Sequence, residues 1–304
     1  MKSLIFKCLA AAVFFAATAV GAFSQTRSME RDLSPFEGIE ASDGFQVSLS
    51  SGDTYSVRLT MDDALESYVQ CYVKAGVLHL GLDSKAIPKD IKNQYKGRNA
   101  SEPTLVAVVK LPALKSVTLA DNAVFTSSAE IATSDFTMNL GGSSAVTNLK
   151  LTGKSFNLTL AKNARFTNAI LTLEDEMNVS CDGKAGATME CKAKNVKITG
   201  NGSAEVNVNA TVDEKLVVDS SSYSKITVSG AAESLEVFGK GTTAKVDASA
   251  FGVNSAYVSI TGISVDIKPE KYLELDLGRG AEVTFAGEPA INIVKIQSAS
   301  VTRK

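Results

Sequence analysis

The chain has 304 residues, of which 31 are basic and 33 acidic, so its formal net charge is −2. No cluster of five or more basic residues occurs, which argues against the phosphate-tracking patch of a nucleic-acid-binding protein. One histidine and four cysteines argue against a histidine-based metal centre, and the sequence predicts neither a metal nor a cofactor.

The first 24 residues have the layout of a cleavable export signal, in which basic residues precede an apolar run that ends in small residues. These features are Lys2 and Lys7, the run Leu9–Val20, and Ala22 with Ser24. The run is shorter than the ~20 apolar residues that a membrane span requires. We therefore expect cleavage before Gln25 and an exported protein of the periplasm, cell surface or medium, and not an integral membrane protein.

Residues 25–34 are expected to form a linker, and residues 35–112 a separate β module. Within the module, alternating apolar residues predict one hairpin around Ser51–Gly52 and a second around Ala75–Gly76. The helix-like segment is Met61–Gln70. The polar, Lys-rich stretch 83–102 is expected to be an exposed loop.

From Lys115 to Lys295 the sequence repeats about every twenty residues, as in "FTMNLGGSSAV", "FNLTLAKNARF" and "VKITGNGSAEV". Each unit contains two alternating strands that flank a turn of small residues. The first strands supply one apolar column: Val117, Met138, Leu158, Val179, Ile198, Val218, Val237, Val258, Leu275 and Ile293. The second strands supply another: Phe125, Val146, Phe166, Met189, Val206, Ile226, Val246, Val265 and Val283.

Apolar residues that alternate within units and recur in phase between units must share one side of the sheet. Residues 113–304 are thus predicted to form a parallel, right-handed β-helix of about nine short coils, in which neighbouring coils cover one another's core. The N-terminal module is expected to cap one end, and "INIVKI" to close the other. An antiparallel meander or sandwich is the alternative, because turns of this length also close hairpins.

Three cysteines remain after removal of the signal: Cys71, Cys181 and Cys191. All three share the phase of the inward apolar residues, and their odd number argues against a disulfide framework. We predict three free, buried thiols. A bridge between Cys181 and Cys191 remains the alternative in an oxidising compartment.

No residue pattern in the chain predicts catalysis. The acidic runs Asp62–Asp63 and Glu174–Glu176 lack the regular oxygen-ligand spacing of a calcium loop. The turns between paired strands show no column of stacked carboxylates suited to acid–base work. His79 is out of phase with its apolar neighbours, so it is expected at the surface without a triad partner.

Three Gly-x-Gly pieces begin at Gly200, Gly239 and Gly278. A phosphate-binding loop would lead into a helix whose N-terminus faces the anion, whereas each of these pieces leads into another strand. Glycine is therefore expected to permit tight corners. The sequence predicts no catalytic, cofactor-binding or metal-binding residue.

The segment "GFQVSLSSG", followed by "LPALKSVTL" and the short coils after it, resembles the head GIN domain family. The resemblance extends from about Leu33 to Phe285, although Ala120–Ala123, Ala161–Ala164 and Asp219–Ser222 depart from the Gly-Ser-Gly corners typical of that family. It implies an exported β-helical protein of the type described as a "putative auto-transporter adhesin", without established catalytic residues.

The expected function is that of a noncatalytic, adhesin-like binding protein at the cell envelope or surface. Its expected partners are glycans or envelope or host surface proteins. Carbohydrate-binding faces usually contain clustered Trp or Tyr, and this chain has no Trp and only seven Tyr, which weakens the case for glycans. A polysaccharide-acting enzyme on a β-helix scaffold is the alternative, followed by a purely structural envelope protein. The ligand and the oligomeric state do not follow from the sequence.

Overall fold

A computed structural model describes residues 25–97 and 100–304, so the predicted export signal, residues 1–24, lies outside the described residues. Strands dominate the described part of the chain. Its two helices are the six-residue 3₁₀-helix Asp63–Tyr68 and the six-residue α-helix α1 (Lys89–Gln94). None of the helices in this part is long and apolar enough to span a bilayer.

The strands of the N-terminal region are β1 (Thr26–Asp32), β2 (Gly38–Ala41), β3 (Gln46–Ser51), β4 (Ser56–Asp62), β5 (Val69–Lys74), β6 (Val77–Leu82) and β7 (Leu105–Leu111). Those of the repeat region are β8 (Ser116–Leu119), β9 (Val124–Ser127), β10 (Ile131–Leu140), β11 (Ala145–Leu160), β12 (Arg165–Cys181), β13 (Gly186–Gly200), β14 (Glu205–Ser222), β15 (Lys225–Gly241), β16 (Lys245–Thr261), β17 (Ser264–Leu277), β18 (Glu282–Phe285), β19 (Ala290–Ile296) and β20 (Ser300–Arg303).

The repeat region is a parallel β-solenoid. Each long strand from β11 to β17 pairs in parallel with the next along nearly its whole length, with a register shift where the strand bends. From the strand pairings we name two parts of each coil, wall A and wall B. Wall A contains β8, β19 and the second halves of β10–β17, and wall B contains β9, β18, β20 and the first halves of β10–β17. These pairings confirm the predicted parallel solenoid and exclude the antiparallel meander for the repeat region.

The predicted wall A column is confirmed along its whole length. All ten residues from Val117 to Ile293 lie in register on successive coils. The first nine are at most 2% exposed. The apolar period of the sequence therefore corresponds directly to the parallel register of the coils.

The predicted wall B column is wrong at one position. Ala187, rather than Met189, lies in register between Phe166 and Val206. Met189 instead pairs with Ala169, because the register of β12 against β13 shifts between Phe166 and Ala169. Both Ala187 and Met189 are buried, since residues two apart share a face. The sequence pattern had assigned the larger side chain, Met189, to the column, whereas the register places Ala187 there.

Most corners between wall A and wall B turn through a residue with positive φ, whereas the corner between β15 and β16 has none. Gly142, Gly183 and Gly202 adopt φ values between 68° and 74°, and Lys162 occupies the equivalent corner at 62°. At the corner, the amide of Asn163 donates to the carbonyl of Gly142 at 2.8 Å. The corners that depart from the Gly-Ser-Gly pattern thus keep the positive-φ turn. Asp121 and Ser222 likewise adopt positive φ, as do Gly262, Gly280 and Ser298 at the later corners.

The N-terminal region contributes two further coils to the stack. β2 pairs in parallel with both β6 and β8, while β3 pairs in parallel with both β7 and β9. The coil formed by β2 and β3 is therefore inserted between the coil of β6 and β7 and the first repeat coil. Antiparallel strands β4 and β5 cover the outer edges of β7 and β6.

Three local expectations for the N-terminal region were wrong. The hairpin around Ser51–Gly52 does not form, because β7 lies between β3 and β4. Residues 25–34, expected as a linker, contain β1, which pairs antiparallel with β4. The stretch 83–102, expected as an exposed loop, contains α1. In contrast, the hairpin around Ala75–Gly76 is confirmed by β5 and β6, with both turn residues at positive φ.

At the other end of the solenoid, β19 forms the last rung of wall A but does not close the core. Ile291, Ile293 and Ile296 are 42–56% exposed although their partners in β17 are fully buried. The expectation that "INIVKI" covers this end is therefore wrong. Within the described residues, β19 pairs only with β17, so its other edge is unpaired and its inward-phase isoleucines are exposed at the end of the stack.

Candidate functional site

The residues that the sequence analysis considered as possible site residues do not come together in one place in the structure. His79 lies in β6 with its Nδ1 3.4 Å from Oε2 of Glu40, and its ring stacks on Tyr72 with centroids 5.0 Å apart. Outward placement of His79 is therefore confirmed. Glu40 and Tyr72 hold the imidazole against the N-terminal coils.

The acidic runs take part in local contacts. Asp62 is 2% exposed and accepts hydrogen bonds from the Tyr95 hydroxyl (3.0 Å) and the Thr104 amide (3.3 Å). This carboxylate therefore fastens the segment after α1 to β4. Burial, together with the hydrogen bond to Asp62, raises the pKa of Tyr95 to about 12. Asp175 pairs with Lys154 at 3.5 Å. Across residues 25–97 and 100–304, no three potential ligands group as a metal site requires.

The Gly-x-Gly pieces form corners and strand edges. Gly202, the second glycine of the first piece, has φ +68°, and a Cβ there would lie 2.9 Å from the backbone of Gly183. Strand β14 follows directly. A side chain at Gly239 would meet the Ser220 carbonyl at 2.5 Å. Close stacking of coils therefore explains these glycines.

Cys71, Cys181 and Cys191 are free and buried, so the alternative bridge between Cys181 and Cys191 is absent from the structure. Burial raises the pKa of the Cys181 and Cys191 thiols to about 12. Both thiols are thus held protonated in the core. They behave as small apolar side chains and offer no thiolate for nucleophilic or redox chemistry.

These shifts predict a loss of stability at alkaline pH. Below pH 9 both thiols are protonated in the folded and unfolded states, and their contribution to stability is complete. As the pH rises from 9 towards 12, the unfolded chain ionises first, so the free energy of unfolding falls by up to about 1.4 kcal/mol per pH unit per thiol. Denaturant unfolding from pH 8 to pH 10.5 measures this fall.

A double variant, Cys181→Ala with Cys191→Ala, isolates the effect of the thiols from that of lysines and tyrosines. Its cavities lower stability by an amount independent of pH. The difference in unfolding free energy between the original protein and the variant should therefore shrink by roughly 2 kcal/mol per thiol at pH 10.5. Parallel pH profiles would contradict buried, protonated thiols.

The outer surface of wall B contains a shallow groove of about 460 Å³, which we call the side groove. It crosses the first halves of strands β12–β15, beside the positive-φ residue Asn168 and the register shift after Phe166. Its outward side chains are Asn168, Ile170, Thr188, Glu190, Asn207, Asn209, Thr227 and Ser229. These eight residues come from four successive coils, so the groove is a product of stacking.

Ile170 is the unusual member of the side groove. It occupies the outward column of wall B between Lys150 and Glu190, and 51% of its surface is exposed. Around it lie amides and hydroxyls, including Asn209, which accepts a hydrogen bond from Ser229 at 3.3 Å. The groove thus combines an apolar floor with neutral donors and acceptors and one carboxylate, a combination typical of sites for small polar ligands.

A second surface was missed by sequence reasoning. Phe238, Tyr257 and Tyr272 lie on successive coils of wall A and point outwards, because each alternates with a buried neighbour. The rings of Phe238 and Tyr257 meet edge to face with centroids 5.9 Å apart. The sequence had indicated only that Trp is absent and Tyr is scarce, whereas stacking brings these three aromatic residues onto neighbouring coils.

Four carboxylates lie beside the rings, in the outward columns of Phe238 and Tyr257. We call Phe238, Tyr257 and Tyr272, together with these carboxylates, the aromatic–acidic face; the carboxylates are Asp219, Glu236, Glu274 and Asp276. The sequence contained a signal from which this face could have been predicted. The residues one position after Val237 and one before Val258 are aromatic, which a search of the outward phase would have found.

Comparison with known proteins gives the family of the chain. A sequence model described as "Putative auto-transporter adhesin, head GIN domain" matches residues 35–214, more than half of the chain. A search of curated proteins found no match.

Solved structures with similarity along the chain include three from Parabacteroides. A "putative adhesin" from Parabacteroides merdae is 17% identical, with 92% of this chain and 96% of that chain covered and a TM-score of 0.43. A "putative adhesin" from Parabacteroides distasonis is 15% identical, with 92% and 98% covered and a TM-score of 0.45. A "Putative lipid binding protein" from Parabacteroides distasonis is 15% identical, with 92% and 96% covered and a TM-score of 0.44.

Proposed function

The chain belongs to the head GIN domain family, described as "Putative auto-transporter adhesin", and on this premise we propose that it is an exported binding protein without catalytic activity. Its place is the cell envelope or surface. The layout of residues 1–24, with basic residues before an apolar run, supports export. Its proposed ligand at the side groove is a neutral glycan.

The exposed Ile170 on the floor of the side groove is the observation that carries this proposal. An isoleucine that is 51% exposed adds nothing to the core, which Ala169 and Leu171 on either side already fill. The C–H face of a sugar ring can cover such a side chain, while the amides of Asn207 and Asn209 can hydrogen-bond to hydroxyl groups. The volume of about 460 Å³ is in the range of small-ligand sites.

Binding rather than turnover is supported by the environment of the groove. Glu190 is the carboxylate among its lining residues, whereas glycoside hydrolysis ordinarily uses a facing pair of carboxylates. Hydroxyl and amide side chains form the rest of the polar lining. This composition suits recognition through several weak contacts, which gain avidity when several copies are presented together.

We expect Ile170→Glu to weaken retention on a glycan array at least tenfold, because the charge removes the apolar floor and requires hydration, a loss of about 1.4 kcal/mol or more in binding. The matched control is Thr172→Glu, on the same strand and the same outward face but outside the groove. Both variants should keep their melting temperature, since both positions are exposed.

The same purified proteins should be assayed for release of reducing ends from a polysaccharide panel. Reproducible turnover, lost on Glu190→Gln, would replace the proposal with the polysaccharide-acting enzyme. Equal retention by the Ile170→Glu and Thr172→Glu proteins would remove the side groove from the binding function.

A further inference from the structure

The outward surface of wall A changes character halfway along the solenoid. Two neighbouring outward columns contain mostly amides and hydroxyls in the first coils, such as Asn157, which accepts a hydrogen bond from Asn178 at 3.2 Å. From Asp219 onwards, these two columns contain Phe238, Tyr257 and the four carboxylates of the aromatic–acidic face, and Tyr272 lies in the next column. Because both halves are built on the same backbone, the fold does not require rings and carboxylates at these positions.

Exposing these aromatic rings to water is unfavourable unless another molecule covers them. Tyr272 is 38% exposed, and Phe238 and Tyr257 are half-buried. Each side chain points away from a core that Val237 and Val258 already fill. Clustered outward aromatics on a polar wall are typical of recognition surfaces.

Among the described residues, three of the four carboxylates have no ion pair, and two of these three, Glu274 and Asp276, are held by hydrogen bonds. Glu274 accepts hydrogen bonds from the Tyr272 hydroxyl and from Asn292, both at 3.0 Å. Asp276 accepts one from Ser259 at 3.4 Å. Glu236 differs, because it pairs with Lys215 at 2.7 Å. The face thus presents positioned negative charge beside aromatic rings.

The basic residues of these columns do not balance that charge. Among the described residues of β14–β19, the columns that contain Phe238, Tyr257 and Tyr272 hold two amines, Lys215 and Lys295, against four carboxylates. The face is therefore complementary to a cationic partner. Arginine fits it best, because a guanidinium stacks on aromatic rings and also hydrogen-bonds to a carboxylate through two N–H groups.

From these observations we propose that the aromatic–acidic face binds an arginine-rich segment of a partner protein. The face crosses four coils, so it is roughly 14 Å long at the ~4.8 Å spacing of adjacent strands. An extended segment of about four or five residues covers that length. This site is separate from the side groove on wall B and takes a different ligand.

The probe is a penta-arginine peptide, compared with penta-lysine and penta-glutamine, with affinity measured at low and high salt. We expect penta-arginine to bind most tightly and penta-glutamine not to bind. Glu274→Gln with Asp276→Asn should weaken arginine binding about tenfold. Tyr257→Ser, which leaves every carboxylate in place, should weaken it about threefold. Higher salt should weaken it further.

The matched control is Glu174→Gln with Asp213→Asn, which changes net charge equally at exposed positions away from the face. This control should retain peptide binding, and so should the groove variant Ile170→Glu. Equal losses in the face and control double variants would overturn the proposal, because binding would then follow net charge alone. Failure to distinguish penta-arginine from penta-glutamine would also overturn it, as would retention of a neutral glycan that Tyr257→Ser abolishes.

Circular dichroism and the melting temperature establish that each variant is folded. The Glu274→Gln and Asp276→Asn replacements conserve shape, so they keep the test valid if Tyr257→Ser proves unstable. Loss of glycan binding by Ile170→Glu with peptide binding intact would separate this face from the proposed glycan function.

Discussion

Replacing Ile198 by aspartate is expected to lower the free energy of unfolding by about 5 kcal/mol, enough to unfold many domains of ordinary stability. Ile198 is fully buried in the wall A column, between Val179 and Val218 of the neighbouring coils. The substitution removes a large apolar side chain and buries a carboxylate without a partner. Urea denaturation followed by circular dichroism measures the loss.

Two further aspartate variants test the register. Lys197→Asp changes the neighbouring, exposed residue and should alter stability by less than about 0.5 kcal/mol. Ile293→Asp changes the same column in the last coil, where the side chain is 56% exposed, and should cost far less than Ile198→Asp. Equal unfolding midpoints for Ile198→Asp and Lys197→Asp would refute the register of wall A.

Replacing Gly230 by alanine should destabilise the protein by about 3 kcal/mol. Gly230 has φ +113°, a conformation that residues with a Cβ rarely adopt. A Cβ there would lie 2.0 Å from the carbonyl oxygen of Ala210 in the preceding coil. Backbone atoms supply this clash, so the two coils must separate before the methyl group can fit.

Gly252→Ala is the matched control, since Gly252 lies in the next coil opposite Ala231. A Cβ at Gly252 would have its nearest neighbour, the Gly230 carbonyl oxygen, 4.0 Å away. This change should leave stability unaltered or raise it by about 0.5 kcal/mol, because alanine restricts the unfolded chain. Thermal unfolding of both variants should therefore give clearly different midpoints. Similar midpoints would contradict the close approach of coils at Gly230.

The repeat region was the part of the fold most completely predicted from the sequence. Alternation within each unit identifies the inward residues, and the twenty-residue period aligns successive units, so all ten residues of the wall A column were correctly identified. Such information is local, because each coil contacts mainly its neighbours in sequence. The one wrong member, Met189 in place of Ala187, arose where a bulge interrupts the period.

The order in which the strands of the N-terminal region stack was not predictable from the sequence. β2 lies between β6 and β8, and β7 separates β3 from β4, so neighbours in space are distant in sequence. Turn residues such as Ala75–Gly76 identify a hairpin, whereas Ser51–Gly52 precede a strand that pairs elsewhere. Local turn propensity cannot distinguish these cases, because the competing partner, β7, follows some fifty residues later.

The sequence by itself determined which side chains face the core, because burial of apolar residues with period two allows only one inward set. The tertiary structure decided which outward side chains meet. Phe238, Tyr257 and Tyr272 are widely separated along the chain, and the parallel register places them on adjacent coils. Outward residues are not constrained by the core, so their grouping depends on bulges, bends and coil order. Both candidate binding surfaces therefore arise from stacking, which places residues about twenty positions apart side by side.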